Sequence, residues 1–506
     1  MQHDSSVPAG RICDTLIRNV SVIDGSGNAP FMADVALAGG RILHIAVAGT
    51  GIDSDADWQA QHIIDGAGKV LSPGFIDVHT HDDTNVIRMP GMLPKLSQGV
   101  TTVVVGNCGI SAAPVSLKNE PPDPMNLLGK AGDFTYPTFA SYVEAIHQAQ
   151  PSVNVAALVG HTALRSNQMD RLDRAATEAE IAAMCSQLRE ALEHGALGLS
   201  TGLAYGNAMQ APTSEVLALA APLADAGAIY ATHLRSEFAD ILEAMEEAFR
   251  IGKHARVAVV ISHLKCAGVE NWGRSGEVLQ ALEQAQRYQP VGCDCYPYTA
   301  SSSTLDLKQV TDTIDIRVTW SEPFPAMGGK LLADIAKEWQ LDLVTTARRL
   351  QPAGAVYHCM LDEDVNRILN HPATVIGSDG LPNDPFPHPR LWGAFPRVLG
   401  HYSREQKLFP LTVAIRKMTG LSAERFGLLE RGLVRAGFWA DLVLFDPETV
   451  RDAATFDDPM QPAEGIEAVW VNGVLSYLGG SKKEATGLRA GRFLARQTGL
   501  RPVAAR

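Results

Sequence analysis

Two histidines one residue apart, His79 and His81, close the segment Gly74–His79 (GFIDVH) and its continuation Thr80-His81. Side chains of an extended chain alternate between faces, so positions i and i+2 point the same way. Both imidazoles can then reach one ion at about 2.0–2.1 Å. A lone histidine is more often structural, but a same-side pair ending an apolar run has metal-ligand spacing. His233 ends a second such run (Ala228–His233, AIYATH) and His263 a third (Arg256–His263, RVAVVISH). Cys108 stands in Gly106-Asn107-Cys108-Gly109, where flanking glycines let the backbone turn sharply and expose the thiol. Taken alone it reads as an inert core thiol, since free cysteine is among the most buried residue types. Four imidazoles and one thiol at the ends of apolar runs form a soft-plus-imidazole donor set suited to zinc. Asp379, in Gly377-Ser378-Asp379-Gly380, would in isolation merely cap a turn. Beside an ion that lowers the pKa of water, it is the natural general base. Cys293 and Cys295 have no second such pair elsewhere and are expected to be core thiols.

Positioning these groups is the task of a repeated pattern. Short, continuously apolar runs recur at Gly74–His79, Val100–Val105, Val153–Val159, Gly195–Ser200, Ala228–His233, Arg256–His263, Val291–Tyr296 and Ala373–Asp379. Runs of this length without alternation suit parallel strands buried on both faces. Helical patterns separate them. Ala176–His194 carries Ile181, Met184, Cys185, Leu188 and Leu192 on one stripe, with Thr177 and Glu180 as a capping box. Glu215–Asp225, Ile241–Ile251 and Gly276–Tyr288 read the same way. The expected class is α/β, a (β/α)8 TIM-type barrel over residues 71–430, with its active site at the strands' C-terminal ends.

The flanks, 1–70 and 431–480, are β-rich instead, in pieces such as Thr15–Asp24, Asp34–Ala46, Ala440–Phe445 and Ala468–Leu478 with an Asn-Gly turn. Each is too short for a good sheet alone, so the two chain ends are expected to pair into one small β-sandwich domain. Residues of about 302–350 interrupt the repeat between strands seven and eight, an insertion placed to hang over the barrel mouth. The stretch 481–506 is expected to be a C-terminal extension on the surface.

Charge and composition exclude several classes. Over 506 residues, 43 Lys+Arg against 56 Asp+Glu leave a net charge of −13, which repels phosphate backbones and argues against a nucleic-acid partner. No run approaches the ~18 uninterrupted apolar residues of a transmembrane helix, so no membrane partner is expected. The start, MQHDSSVPAGRICD, lacks the basic and apolar regions of a signal peptide, so none is expected. Seven scattered cysteines form no disulfide framework and fit a reducing cytoplasm.

The segments SPGFIDVHTHDD, SQGVTTVVVGNCGIS, GHTALR, ATHLRSE, ISHLKCAG, DCYPYTASSS and IGSDGLPNDPFPHPR resemble the N-acyl-D-amino-acid deacylases (D-aminoacylases), a branch of the metal-dependent amidohydrolase superfamily. The resemblance runs from about Ile12 to Leu478. GNCGIS is its specific part: this branch is similar in using a cysteine where most dinuclear amidohydrolases place a carboxylated lysine, and no lysine here fits that role. The resemblance implies a tight zinc site at Cys108, His233 and His263, and a weaker one at His79 and His81 with Cys108 as bridge. It implies Asp379 as the catalytic acid/base, and a small-molecule N-acyl-D-amino acid as substrate. The α-carboxylate would be held by Lys265, Tyr296, Ser302 and Arg390. Without the resemblance these read as a surface lysine, a core tyrosine, a turn serine and a solvent-facing arginine. A carboxylate-bearing amide needs a cationic clamp, and arginine supplies geometry as well as charge. His161 and Arg165 of GHTALR are expected to shape the pocket. Three other readings compete. A cyclic-amide hydrolase of the dihydroorotase or hydantoinase kind would want a bridging lysine at Cys108. A metal-free scaffold of the same fold would have shed its histidines. A nucleobase deaminase would have no use for the carboxylate clamp.

Overall fold

The structure, a computed structural model, describes residues 11–48, 58–117 and 119–497. Residues 1–10 of the segment read for a signal peptide, and residues 498–506 of the C-terminal stretch, lie outside the described residues.

Val100–Val105 (VTTVVV) is buried at every position, which is why its β-branched side chains run without alternation. Each of the eight apolar runs overlaps a parallel strand. They are Phe75–Asp77, Val100–Val105, Asn154–Ala157 continuing as Val159–Gly160, Gly198–Gly202, Ile229–His233, Ala258–Ile261, Val291–Cys295 and Thr374–Ile376. Phe75–Asp77 pairs with Val100–Val105 and that with Asn154–Ala157, all parallel. Val159–Gly160 starts a second parallel series through Gly198–Gly202, Ile229–His233, Ala258–Ile261 and Val291–Cys295 to Thr374–Ile376. A parallel bridge between Thr80 and Gly380 links the residues following the first and last strands. Several strands stop short of the chemistry-bearing residue that ends the run. His263 and Asp379 lie beyond the ladder because their backbones turn to positive φ, 35° and 50°.

The intervening helices follow the sequence pattern. Glu178–Glu193 begins at a capping box in which Thr177 Oγ1 accepts from the Glu180 amide (3.3 Å) and the Thr177 amide donates to Glu180 Oε2 (2.8 Å). Its stripe of Met184, Cys185, Leu188 and Leu192 is buried, with Ile181 half-buried at its edge. Thr213–Ala226, Ile241–Ala255 and Ser275–Gln286 are the other three expected helices.

Both chain ends enter one nine-stranded sheet. Its junction is the antiparallel pairing of Val70–Pro73 with Leu442–Phe445. Within it, Ile466–Val471 and Val474–Leu478 form a hairpin whose two turn residues, Asn472 and Gly473, have φ of 49° and 79°. Positive φ at both positions is what an Asn-Gly hairpin turn requires. Between Val291–Cys295 and Thr374–Ile376 lies a separate three-stranded antiparallel sheet of Ser301–Thr304, Ile316–Ser321 and Ala353–Tyr357.

The C-terminal stretch departs from the expected surface extension as far as residue 497. Glu484–Ala485 adds to the nine-stranded sheet, and the Val155 amide donates to Arg492 O (2.9 Å). Phe493 meets Phe139 edge-on at 5.9 Å. An Arg- and Gly-rich composition hid two apolar anchors, Phe493 and Leu494, that pack against the core. Among the described residues no helix is long and apolar enough to cross a membrane.

Candidate active site

Cys108 is placed by the turn its glycines permit. Gly106 and Gly109 have φ of 78° and 77°, and a Cβ on either would approach backbone atoms to 2.1 Å (Leu158 O) and 2.6 Å (Gly202 N). The turn does not expose the thiol, contrary to expectation. Cys108 is 1% exposed, because strand ends close around it, and its Sγ faces His79 Nε2 at 3.2 Å and His263 Nε2 at 3.3 Å. Cys108 (φ 53°), His263 and Asp379 are all non-glycine residues in the left-handed region. Such backbone persists where surrounding structure over-determines it, and here it aims three polar side chains at one point.

The remaining donors gather nearby, in two groups rather than at one point. His81 Nε2 lies 3.1 Å and His79 Nε2 3.4 Å from Asp379 Oδ1. Donor atoms of His79, Cys108, His263 and Asp379 all fall within 4.8 Å of one another, and so do those of His233, Glu237 and His263. His263 thus belongs to both groups. A thiol, imidazoles and a carboxylate suit a zinc-type ion. Two buried imidazole nitrogens, His81 Nδ1 and His233 Nδ1, have no hydrogen-bond partner among the described residues.

The electrostatics are those of a thiolate among imidazoles. Burial alone would raise the Cys108 thiol, but His79 and His263 outweigh it and hold the thiol well below its ordinary range. Burial likewise opposes charge on His79, yet Asp294 and Cys108 hold it well above its usual value. His81, against the same opposing burial, is raised to about 9 by its hydrogen bond to Asp379 and by Cys108. For Asp379, burial is overcome by Arg390, His263 and His79, which keep the carboxyl well below the usual range.

Two supporting acids escaped the sequence reading. Asp294 Oδ2 sits 3.2 Å from His79 Nδ1, while its Oδ1 accepts the His263 amide (2.8 Å). It thereby orients two candidate ligands. Its signal was present, an acid between the two cysteines of a buried strand. Glu237 follows His233 by four residues; its Oε1 accepts from Lys265 Nζ (2.5 Å) and lies 2.9 Å from His263 Nδ1. Cys293 and Cys295 are core thiols as expected, raised by burial, Cys293 to about 11.

Of the four expected clamp residues, Lys265 and Ser302 line a cavity of about 870 Å³ together with His81, His233, His263 and Asp379, while Tyr296 and Arg390 are buried outside that lining. Neither cation is at the surface: Lys265 is 4% and Arg390 0% exposed. The Arg390 guanidinium lies over the Tyr296 ring at 4.6 Å, and its Nη2 donates to Ser302 O (3.1 Å). Arg390 Nη1 is 2.9 Å from Asp379 Oδ2, but it is not aimed along a hydrogen bond. Tyr296 Oη, Ser302 Oγ, Arg390 Nε and Arg390 Nη1 are therefore buried without hydrogen-bond partners among the described residues.

His161 and Arg165 do not line this cavity. Both are fully buried around Glu215, whose Oε1 accepts from Arg165 Nη1 and lies 2.9 Å from His161 Nε2. Arg165 Nη2 also donates to Leu172 O and Arg174 O, and its Nε to Asn207 O (3.2 Å), so the motif locks the loop before Glu178–Glu193 and holds the segment whose Tyr205, Gly206 and Met209 line the cavity. Glu215→Ala should destabilise the protein by about 3–5 kcal/mol, since it strands a buried guanidinium. Urea unfolding measures this; a loss under about 1 kcal/mol, the scale of an exposed ion pair, would show that Arg165 finds water instead.

Imidazoles, a thiolate and a carboxylate at parallel-strand ends beside a polar cavity define a metal-dependent hydrolytic site. A model of the amidohydrolase family matches residues 62–337 and 330–477 of this chain. The D-aminoacylase of Alcaligenes xylosoxydans xylosoxydans is 48% identical over 483 residues, 96% of this chain and 98% of the relative. An N-acyl-D-aspartate deacylase of the same organism is 49% identical over 461 residues, 91% of each chain. Among solved structures, the N-acyl-D-glutamate deacylase of Bordetella bronchiseptica, complexed with zinc and a phosphonate inhibitor that mimics the tetrahedral intermediate, superposes with a TM-score of 0.90. It shares 43% identity, covering 96% of this chain and all of that one. The chain belongs to the amidohydrolase family, in its N-acyl-D-amino-acid deacylase branch.

Proposed function

We propose that this chain hydrolyses the linear amide bond of N-acyl-D-amino acids, releasing a carboxylate and a free D-amino acid. The observation that carries this reading is the set of four unpartnered polar atoms on Tyr296, Ser302 and Arg390 beside the metal-type cluster. Buried donors are almost always satisfied, and a substrate α-carboxylate would satisfy these. Lys265 adds a fourth contact at the cavity wall. The names of the two Alcaligenes relatives support the D-series, and the zinc held by the Bordetella relative supports that metal.

Cys108, His233 and His263 would hold zinc tightly, and His79 and His81 a weaker second ion bridged by Cys108. Bound zinc would polarise the scissile carbonyl and make water a stronger nucleophile. The protein's own task is then to fix the carboxylate, exclude water and move one proton. Asp379 is the acid/base: its Oδ1 faces His81 and His79, and its Oδ2 faces Arg390. On this reading the eight parallel strands of residues 71–430 close as a (β/α)8 barrel with the insertion of about 302–350, an arrangement the Thr80–Gly380 bridge supports. Residues 1–70 and 431–480 would form the small β-sandwich domain, to which Glu484–Ala485 adds a strand. Seven free thiols fit a cytoplasmic setting.

Stereochemistry tests the function. Clamp and zinc fix two groups on the α-carbon, so one enantiomer alone directs its side chain into open space. N-acetyl-D-methionine should be deacylated and its L-enantiomer left intact in an assay for free amine. Equal rates would remove this reading and revive the cyclic-amide one.

A further inference from the structure

Lys95 is fully buried, and the site as described makes no use of it. It lies in the short helix Leu93–Leu96, far in sequence from the residue it reaches across the sheet. Its Nζ donates to Asp77 Oδ2 (2.8 Å), Thr80 Oγ1 (2.8 Å) and Ser378 Oγ (3.0 Å), with Asp82 Oδ2 at 3.2 Å. Three of these partners belong to the segment bearing His79 and His81; the fourth directly precedes Asp379. Burial opposes a charge on this amine, but Asp77 and Asp82 outweigh it and raise its pKa, so the group is an ammonium.

The junction it spans needs such a tie. Backbone contact between the first and last strand segments is thin: the Asp379 amide donates to His79 O (2.7 Å), the His81 amide to Gly380 O (3.1 Å), and Thr80 bridges Gly380. Ser378 Oγ donates to Asp77 Oδ2 (2.6 Å) and the Ser378 amide to Asp77 Oδ1 (2.8 Å), making one polar knot with Lys95 at its centre. Next to the knot in the chain stand His79, His81 and Asp379, with Asp379 Oδ1 3.4 Å from His79 Nε2 and 3.1 Å from His81 Nε2. Cys108 and His263 come from other strands and do not touch it.

We propose that Lys95 is a positioning residue for the deacylation reaction, its ammonium holding the His79/His81 segment and Asp379 in register across the first-to-last strand seam. Its Nζ is saturated by these four partners, so it has no role as a bridging ligand. This rests on the function proposed above, and the two can fail separately, because wild-type turnover of N-acetyl-D-methionine is measured first.

Lys95→Met keeps the length of the side chain and removes the ammonium. A displacement of ~1 Å can cost ~10²-fold in rate, so kcat should drop on that order. KM should change by less than about twofold, because the carboxylate clamp lies on other segments. Metal analysis gives a second readout: with zinc alone as the probe, the weaker equivalent should be lost and the tight one kept. Ser378→Ala removes a partner without stranding a charge, and it should shift the same readouts less far, kcat by ~10-fold. It stands in if Lys95→Met does not fold. Folded variants with unchanged kcat and both zinc equivalents overturn the proposal. So does a parallel loss of kcat, KM and both metals, which would mark a purely structural lysine.

Discussion

Cys108→Ala should purify without its tight zinc equivalent and without measurable deacylase activity. The thiolate is the donor that ties the cluster together, with Sγ 3.2 Å from His79 Nε2 and 3.3 Å from His263 Nε2. Alanine removes one ligand and also the negative charge that helps to offset the imidazoles around it. Two of them, His79 and His263, are raised above their usual range partly by Cys108, His263 to about 9. Without that charge the proposed tight site offers a cation only the imidazoles of His233 and His263 from its three ligands, so the loss exceeds that of a single neutral bond. The turn itself should survive, because Gly106 and Gly109 set its backbone and the side chain is small. Elemental analysis decides the matter: full zinc occupancy in the alanine variant would show that the thiol is not a ligand.

Asp379→Asn should lower kcat by ~10²–10⁴-fold, the usual range for losing a general acid/base. As the C–O bond forms, a proton leaves the attacking water for Asp379; as the C–N bond breaks, that proton passes to the departing nitrogen. An amide nitrogen leaves poorly as an anion, so the second transfer matters as much as the first. Asparagine keeps the size of the side chain but carries no exchangeable acid. The tight zinc equivalent should remain, since Cys108, His233 and His263 are untouched. The weaker equivalent should fall, because Asp379 Oδ1 lies 3.1–3.4 Å from His81 and His79. Arg390 loses an ionic neighbour but keeps its bond to Ser302 O, so KM should change little. A metal-replete Asp379→Asn enzyme with kcat reduced by less than about tenfold would dismiss this role.

What the amino-acid sequence determined by itself is local. Periods of 2 and 3.6 residues depend on near neighbours alone, so the apolar runs, the Thr177–Glu180 cap and the Asn472-Gly473 turn were all legible. Donor chemistry was legible too, since residue type carries it: imidazoles, a thiol and an acid at the ends of apolar runs. Which donor stands beside which was decided by tertiary structure. His81 and Asp379 are 298 residues apart and Lys95 and Ser378 are 283 apart, and only the return of the last strand to the first brings them together. The same holds for the misread residues. Glycines around Cys108 foretold its turn but not the walls that bury its thiol, and nothing local in GHTALR shows that His161 and Arg165 gather around Glu215 instead of lining the cavity themselves. Phe493 and Leu494 looked like surface because their partners lie on other segments. A buried polar or apolar group is defined by what surrounds it, and those surroundings are non-local in the chain.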